Sequence, residues 1–265
     1  MIVKKINYQN DFVVIKAIND DYKVDYKISL DDFDSRRIQV DKELSDDDIE
    51  YLENSHKYFF CLTKCLKKLA NKDLTAKEIS QYLNQFDDLS SDISQRVITT
   101  LSSAGYLDIN RVIESQFYSD QLKLKGKLKT ASTLKKRGLD PNLIQDALLM
   151  VDSNEEFQRA LAKAIQIEKS QRNMSYKQKV YDIKVKLVSE GFTNCDEVVE
   201  KLNLSYDDNQ QIEAGQYHLT KILRQYRKKY KDKKLKEMCY KYLFSKGFNS
   251  EVITNLLERN LQDDN

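Results

Sequence analysis

Leu134-Lys135-Lys136-Arg137-Gly138-Leu139-Asp140 decides the fold, because the same pattern returns twice. It recurs as Leu187-Val188-Ser189-Glu190-Gly191-Phe192-Thr193 and as Leu243-Phe244-Ser245-Lys246-Gly247-Phe248-Asn249. Each copy reads Leu, three residues, Gly, an apolar residue, then a residue suited to capping a helix. Gly takes the left-handed conformation that ends one helix, and the apolar residue folds back on the last turn. Asp140, Thr193 or Asn249 then caps the next helix, with Pro141 preset for its first turn. Apolar pairs follow each glycine: Ile144 and Leu148, Val198 and Leu202, Ile253 and Leu257. Gly138 to Gly191 is 53 residues and Gly191 to Gly247 is 56. A degenerate copy, Leu83-Asn84-Gln85-Phe86-Asp87, stands 51 residues before Gly138. Each period has room for a helix before the turn, one after it and a longer return helix.

A period near 50 predicts tandem three-helix repeats stacked into an elongated, curved array. Composition agrees. Among 265 residues there are 6 Gly and 1 Pro, too few turn formers for a large β-sandwich, barrel or propeller. Helix starts are legible elsewhere too. Ser45 precedes Asp46, Asp47 and Asp48, while Thr75-Ala76-Lys77-Glu78 and Ser153-Asn154-Glu155-Glu156 read as capping boxes. Residues 1–30 differ. Phe12 to Ile18 is β-branched, Asn19-Asp20-Asp21 supplies a turn, and Tyr22 to Ile28 alternates apolar and charged. The fold class expected is therefore mainly α with a small N-terminal antiparallel β unit. The expected divisions are 1–45 (β unit and linker), 46–120 (first repeat with a lead-in helix), 121–173, 174–231, and a partial repeat over 232–265.

Charge is uneven although the net is only +2. Lys123 to Arg137 holds seven basic residues and no acid: Lys123, Lys125, Lys127, Lys129, Lys135, Lys136 and Arg137. Lys221 to Lys246 holds eleven basic and two acidic residues, and within it Lys221, Arg224, Arg227, Lys228 and Lys231 fall off the apolar stripe Ile212, Leu219, Ile222, Leu223, Tyr226, Tyr230. Arg224, Arg227, Lys228, Lys229 and Lys231 are the candidate contacts there. Such density points to a polyanionic or acidic partner, either nucleic-acid phosphate or an acidic protein surface. Gly126, between Lys125 and Lys127, is placed to shape a basic loop. Gly138, Gly191 and Gly247 read as structural turns.

Catalytic chemistry is poorly represented. His56 and His218 are the two histidines, and neither has a partner at zinc-site spacing. There is no phosphate-cradling glycine loop and no nucleophile elbow. Cys61 and Cys65 share a helix face with Leu62, Leu66 and Leu69 and read as small core residues. The expectation is a non-enzyme with no catalytic residue, metal or cofactor. No apolar run is long enough to span a bilayer, which predicts a cytoplasmic protein without a membrane partner.

The chain resembles the RecX family, bacterial regulators of the RecA recombinase. The residues that carry the resemblance are Ile38 to Ser45 after the ribbon, Leu66-Lys67-Lys68-Leu69 with Thr75 to Ile79, Val97 to Asp108, and Lys125-Gly126-Lys127 leading to Leu134 and Gly138-Leu139. The long N-terminal extension is similar to that of RecX proteins from low-GC Gram-positive bacteria. Ala70 to Leu74 departs from the family's arginine-containing segment, and Asp108 to Ile113 keeps one acid of its usual two. The resemblance implies a monomeric regulator of recombination, DNA repair and the SOS response. It would bind RecA or the RecA–DNA filament and modulate ATP hydrolysis, filament assembly and strand exchange, with single- or double-stranded DNA as a further contact. The other reading that the residues allow is a stand-alone helical DNA-binding protein.

Overall fold

The structure, a computed structural model, describes residues 1–19, 22–202, 204 and 206–261. Asp20 and Asp21 of the expected turn, and the last residues of the expected final repeat, lie outside the described residues. Two compact units emerge: Met1–Ser115 with Lys136–Leu139, and Gln116–Lys135 with Asp140 onward.

The first unit opens with three strands, β1 (Ile2–Tyr8), β2 (Phe12–Ile18) and β3 (Lys23–Ser29), in an antiparallel sheet of order β1-β2-β3. Their alternation buries Val3, Val13, Ile15, Ala17, Tyr26 and Ile28 on one face. So small a sheet is marginal alone, and that face packs with Phe33, from the short α1 (Leu30–Asp34), and Leu52, from α2 (Asp46–Leu69). Ser45 caps α2 in a reciprocal box with Asp48. The second half of α2 faces a different core. Tyr58, Cys61 and Cys65 pack with Ile79 and Leu83 of α3 (Ala76–Leu83) and Ile93, Val97 and Leu101 of α4 (Ser91–Ser103). Burial pushes the Cys65 thiol up to about 11, so it sits as a neutral apolar residue. Thr75 caps α3 with its box partner Glu78.

Helix α5 (Ile109–Leu122) leads to α6 (Lys127–Lys136), α7 (Pro141–Leu149) and the long α8 (Ser153–Ser170). Then α9 (Tyr176–Ser189), α10 (Cys195–Leu202) and the long α11 (Asp208–Tyr226) repeat the scheme, and α12 (Asp232–Ser245) and α13 (Ser250–Asn260) follow. One core joins α8, α9 and α10 through Ala164, Ile183, Leu187 and Val198. Another joins α11, α12 and α13 through Leu219, Cys239, Leu243, Ile253 and Leu256.

The three repeat glycines are left-handed, at φ 89° (Gly138), 88° (Gly191) and 83° (Gly247). Phe192 N–H reaches back to Leu187 O (3.1 Å) and Phe248 N–H to Leu243 O (3.3 Å), the bonds that close such turns. Each turn also docks on the N-terminus of an earlier helix. Thr75 Oγ1 accepts from Glu78 N–H and donates to Arg137 O (2.9 Å). Ser175 Oγ accepts from Gln178 N–H and donates to Lys246 O (2.7 Å). Between them, Gly126 N–H donates to Glu190 O (2.8 Å). One N-terminal donor thus satisfies the carbonyl just before each repeat glycine, a group that its own helix leaves unpaired. The return helices complete the joint. Glu156 of α8 accepts from Lys127 N–H (2.9 Å), and Gln211 of α11 accepts from Tyr176 N–H (2.8 Å).

Two expected caps are corrected. Asp152, not Ser153, caps α8 by accepting from Glu155 N–H, and Glu156, the supposed box partner, is occupied by α6. Helix α10 begins at Cys195, and the Thr193 hydroxyl turns to Asn194 Oδ1 rather than to the helix. Asp140 and Asn249 cap α7 and α13 as expected. In the degenerate copy the left-handed residue is Asp88 (φ 57°), one position past Asp87; Asp tolerates this conformation better than most side chains.

Candidate functional site

The first basic window lies on the α5–α6 connection and along α6. Helix α5 ends at Leu122, Leu124 adopts φ 52°, and α6 starts at Lys127. Lys123 and Lys125 therefore sit in a connecting turn, and Gly126 breaks any common helical register with Lys127 and Lys129. Gly126 has no room for a side chain: a Cβ there would run into the Gly191 carbonyl group and Phe192 N. This glycine is needed for backbone approach.

Most of the window's cations have partners inside the fold. Lys125 Nζ pairs at 3.1 Å with Asp120, whose side chain is 1% exposed. Lys127 Nζ pairs with the buried Glu156 at 3.2 Å. Lys129 Nζ donates to Ser189 O (3.0 Å). Arg137, itself buried, forks onto Glu78 through Nε (3.1 Å) and Nη2 (3.0 Å), and Nη2 also reaches Asp73 O. Burial tends to raise the Glu78 carboxyl, but hydrogen bonds from Arg137 and from Thr75 N–H outweigh it and leave the pKa below its ordinary value. Asp120 behaves alike: burial raises, while Gln116 and Lys125 together lower, with a net fall. The remaining cations, Lys123, Lys135 and Lys136, are exposed, and none forms an ion pair with a described residue.

The second window is arranged differently. Arg224 lies in the last turn of α11, Arg227 is its C-cap, Lys228 and Lys229 occupy the turn, and Lys231 is the N-cap of α12. All five are exposed, and none pairs with a described carboxylate. Cations at the end of α11 suit its dipole, but at the start of α12 they oppose it. Lys231 offers no side-chain acceptor to that helix end, unlike the residues that cap α1 to α4, α7 to α9, α11 and α13. Tyr226 and Tyr230, edge to face at 5.5 Å, are half-buried against the α11–α13 core, so they anchor this corner. Farther along α12 the cations are neutralised again. Glu237 takes Lys234 (3.0 Å) and Lys241 (2.6 Å), and these two hold its carboxyl down to about 2.

Sequence reasoning missed the acids that thread the first window. Asp120 is five residues before Lys125, and that spacing was readable. Glu78 and Glu156 lie 59 and 29 residues from their partners, and no local rule finds them. It also passed over Gly105 (φ 74°), where Leu101 to Tyr106 forms the same kind of turn, with Tyr106 N–H on Leu101 O.

Among the described residues no group of His, Cys, Asp and Glu is placed to hold a metal ion, and no helix is long and apolar enough to cross a membrane. No family model matches the chain. A protein of Lactobacillus gasseri named regulatory protein RecX is 29% identical over 232 residues, which is 86% of this chain and 84% of that one. A protein of the same name from Enterococcus faecalis is 25% identical over 90% of both chains. A crystal structure of a regulatory protein RecX shares the fold, with a TM-score of 0.60 over 76% of this chain and 98% of that one at 17% identity. Over most of its length the chain is similar in sequence to proteins named regulatory protein RecX from Lactobacillus and Enterococcus, and it shares the fold of one whose crystal structure is known.

Proposed function

We propose that this protein regulates the RecA recombinase by binding RecA or its filament on DNA. It acts as a monomer in the cytoplasm and without chemistry of its own. The observation that carries this reading is the likeness to proteins named regulatory protein RecX over 86% of the chain. The α11–α12 corner is the contact that fits best. Arg224, Arg227, Lys228, Lys229 and Lys231 form a cluster of exposed cations that the described fold does not neutralise. Self-repulsion within such a cluster is relieved by a polyanion, here filament DNA phosphate or an acidic RecA surface. Lys123, Lys135 and Lys136 make a second, sparser contact. Inhibition follows sterically: a helical protein seated on a filament restricts subunit motion and excludes incoming duplex, which slows ATP hydrolysis, assembly and strand exchange.

Pull-down of RecA filaments on single-stranded DNA at moderate salt tests the reading. Capture of the filament, with much weaker capture of the same DNA without RecA, is expected. Equal retention of bare DNA would instead identify a stand-alone DNA-binding protein.

A further inference from the structure

A second cationic surface lies on the first unit, in residues that the proposed function does not use. Along one face of α2, His56, Phe59, Phe60, Lys64 and Lys67 line a cleft of about 180 Å³, and Lys27 of β3 closes its other side. The spacing of three, four, eight and eleven residues from His56 keeps the α2 residues on one helix face. The wall is mostly apolar, and Phe60 is 43% exposed. Lys64 and Lys67 are exposed, Lys27 is half-buried, and none of the three pairs with a described carboxylate. No acid lines the cleft.

Two chemistries could use cations beside aromatic rings: a nucleic-acid strand stacking its bases, or an acidic peptide inserting a side chain. The ring contacts favour the second. Stacking needs free ring faces. Here Lys27 Nζ lies over Phe12 at 3.7 Å and over Phe59 at 5.4 Å, and Lys64 Nζ lies over Phe60 at 5.2 Å. Phe59 also leans on Phe12 (5.5 Å between centroids), and Phe60 meets Phe86 edge to face (5.8 Å). The rings are thus engaged by ammonium groups and by one another. What remains is an apolar slot large enough for one side chain, rimmed by ammonium groups. The edge of β3 at this point is closed as well, since His56 Nδ1 accepts from Lys27 N–H (2.8 Å), so a ligand gains its contacts from side chains rather than by adding a strand.

We infer that this cleft is a docking site for a short acidic peptide segment of a partner protein, which seats one large apolar side chain between Phe59 and Phe60 and sets its carboxylates on Lys27, Lys64 and Lys67. The inference stands independently of the RecA reading, since it concerns a different face and needs no filament.

Fluorescence anisotropy on the full chain tests it. The probe is a labelled peptide with one phenylalanine between runs of glutamate. Saturable binding is expected, at least about tenfold weaker for the version with alanine in place of phenylalanine. Lys64→Glu with Lys67→Glu should cost a further factor of about ten or more, with only a small fall in melting temperature, because both side chains are exposed and lose only the Lys64 contact with Phe60 and the favourable charge near the end of α2. The charge-matched control Lys5→Glu with Lys169→Glu, on other surfaces, should leave binding intact. Phe60→Ala should also weaken it, and if that variant folds poorly the lysine pair decides. Absence of binding, equal binding of the alanine peptide, or equal loss in the control would overturn the inference. So would an oligothymidine that binds more tightly than the peptide and is lost with Phe60→Ala, because the occupant would then be a nucleic-acid strand.

Discussion

Lys123 to Arg137 and Arg224 to Lys231 look alike as strings, seven cations in fifteen residues and five in eight. In the folded chain they differ. The first is woven into the joints: Lys125 on Asp120, Lys127 on Glu156, Lys129 on the Ser189 carbonyl and Arg137 on Glu78. The second turns outward at a helix corner, with no carboxylate on its five cations among the described residues. Local charge density therefore does not measure charge available to a partner. An acid distant in sequence can neutralise a cation, and a repeat fold brings such acids close at every joint. The first window is chiefly an assembly edge, and the second chiefly a surface.

The largest effect that separates them is expected at Gly191. Its turn lies against the first window, and a Cβ at Gly191 would collide with the Lys129 backbone N, which side-chain motion cannot relieve. At φ 88° a β-branched residue is strained as well. Gly191→Val should cost about 3 kcal/mol or more. Gly105→Ala is the sharper control. It shares the left-handed backbone, at φ 74°, but its added Cβ meets nothing within 4 Å, so only the backbone strain of about 1–2 kcal/mol remains. Equal losses in chemical denaturation would mean that turn docking contributes little. Arg137→Ala comes next, at about 3 kcal/mol, because it strands Glu78 in a partly buried site beside its capping role. A melting shift no larger than that of a surface lysine would return Arg137 to the group of free cations.

The glycine turns, the second and third strands and most caps were legible because their causes are local: a left-handed backbone, alternation, a hydroxyl three residues before an amide. Ser153 misled because Asp152 took the cap and the supposed box partner was claimed by another helix, and Thr193 because its hydroxyl bonds the Asn194 side chain instead. The site was less legible. Exposure at the α11–α12 corner follows from the apolar stripe of α11, which sends Arg224, Arg227 and Lys228 outward. The occupation of Lys125, Lys127 and Arg137 could not be read, since it depends on which helices meet. The α2 cleft escaped notice for the same reason: Lys27 and Phe59 are brought together only when the sheet packs on α2.

A middle-sized effect tests the woven character directly. Lys125→Gln should cost about 1–3 kcal/mol, since Asp120 is left buried with its hydrogen bonds but without its counter-ion. Lys127→Gln should cost about 1 kcal/mol, because Glu156 keeps the Lys127 amide. The pH dependence should carry the same signature. Asp120 and Glu78 have folded pKa values below their ordinary ones. Their stabilisation is therefore complete above the unfolded value of about 4 and is lost as pH falls through the lower folded value. Melting temperature should drop on acidification below about pH 4, and Arg137→Ala should flatten that drop. A variant as acid-sensitive as the parent would separate Glu78 from Arg137.

The smallest effect on stability is expected where the effect on binding is greatest. Arg224, Arg227 and Lys228 replaced together by Gln leave the α11 core untouched, because Leu219, Ile222 and Leu223 face the other way. Gln is nearly as good a helix former as Arg. Three cations at the end of α11 favour its dipole by a few tenths of a kcal/mol each, so the combined loss should stay below about 1 kcal/mol. Binding to RecA filaments on DNA should weaken sharply in the same variant. If the corner meets phosphate, each lost contact removes about 0.7–0.9 from the slope of log affinity against log salt, and the three together remove about 2 to 3. If it meets an acidic protein surface, affinity should fall with a smaller change of slope, because no condensed counterions are released. Gln in place of Lys123, Lys125, Lys127 and Lys129 gives the opposite pattern, a clear drop in melting temperature with a modest change of slope confined to Lys123. Should both variants lose binding equally and melt equally, the two windows would be one kind of surface, and the partners found for Lys125, Lys127 and Lys129 would contribute nothing to the fold.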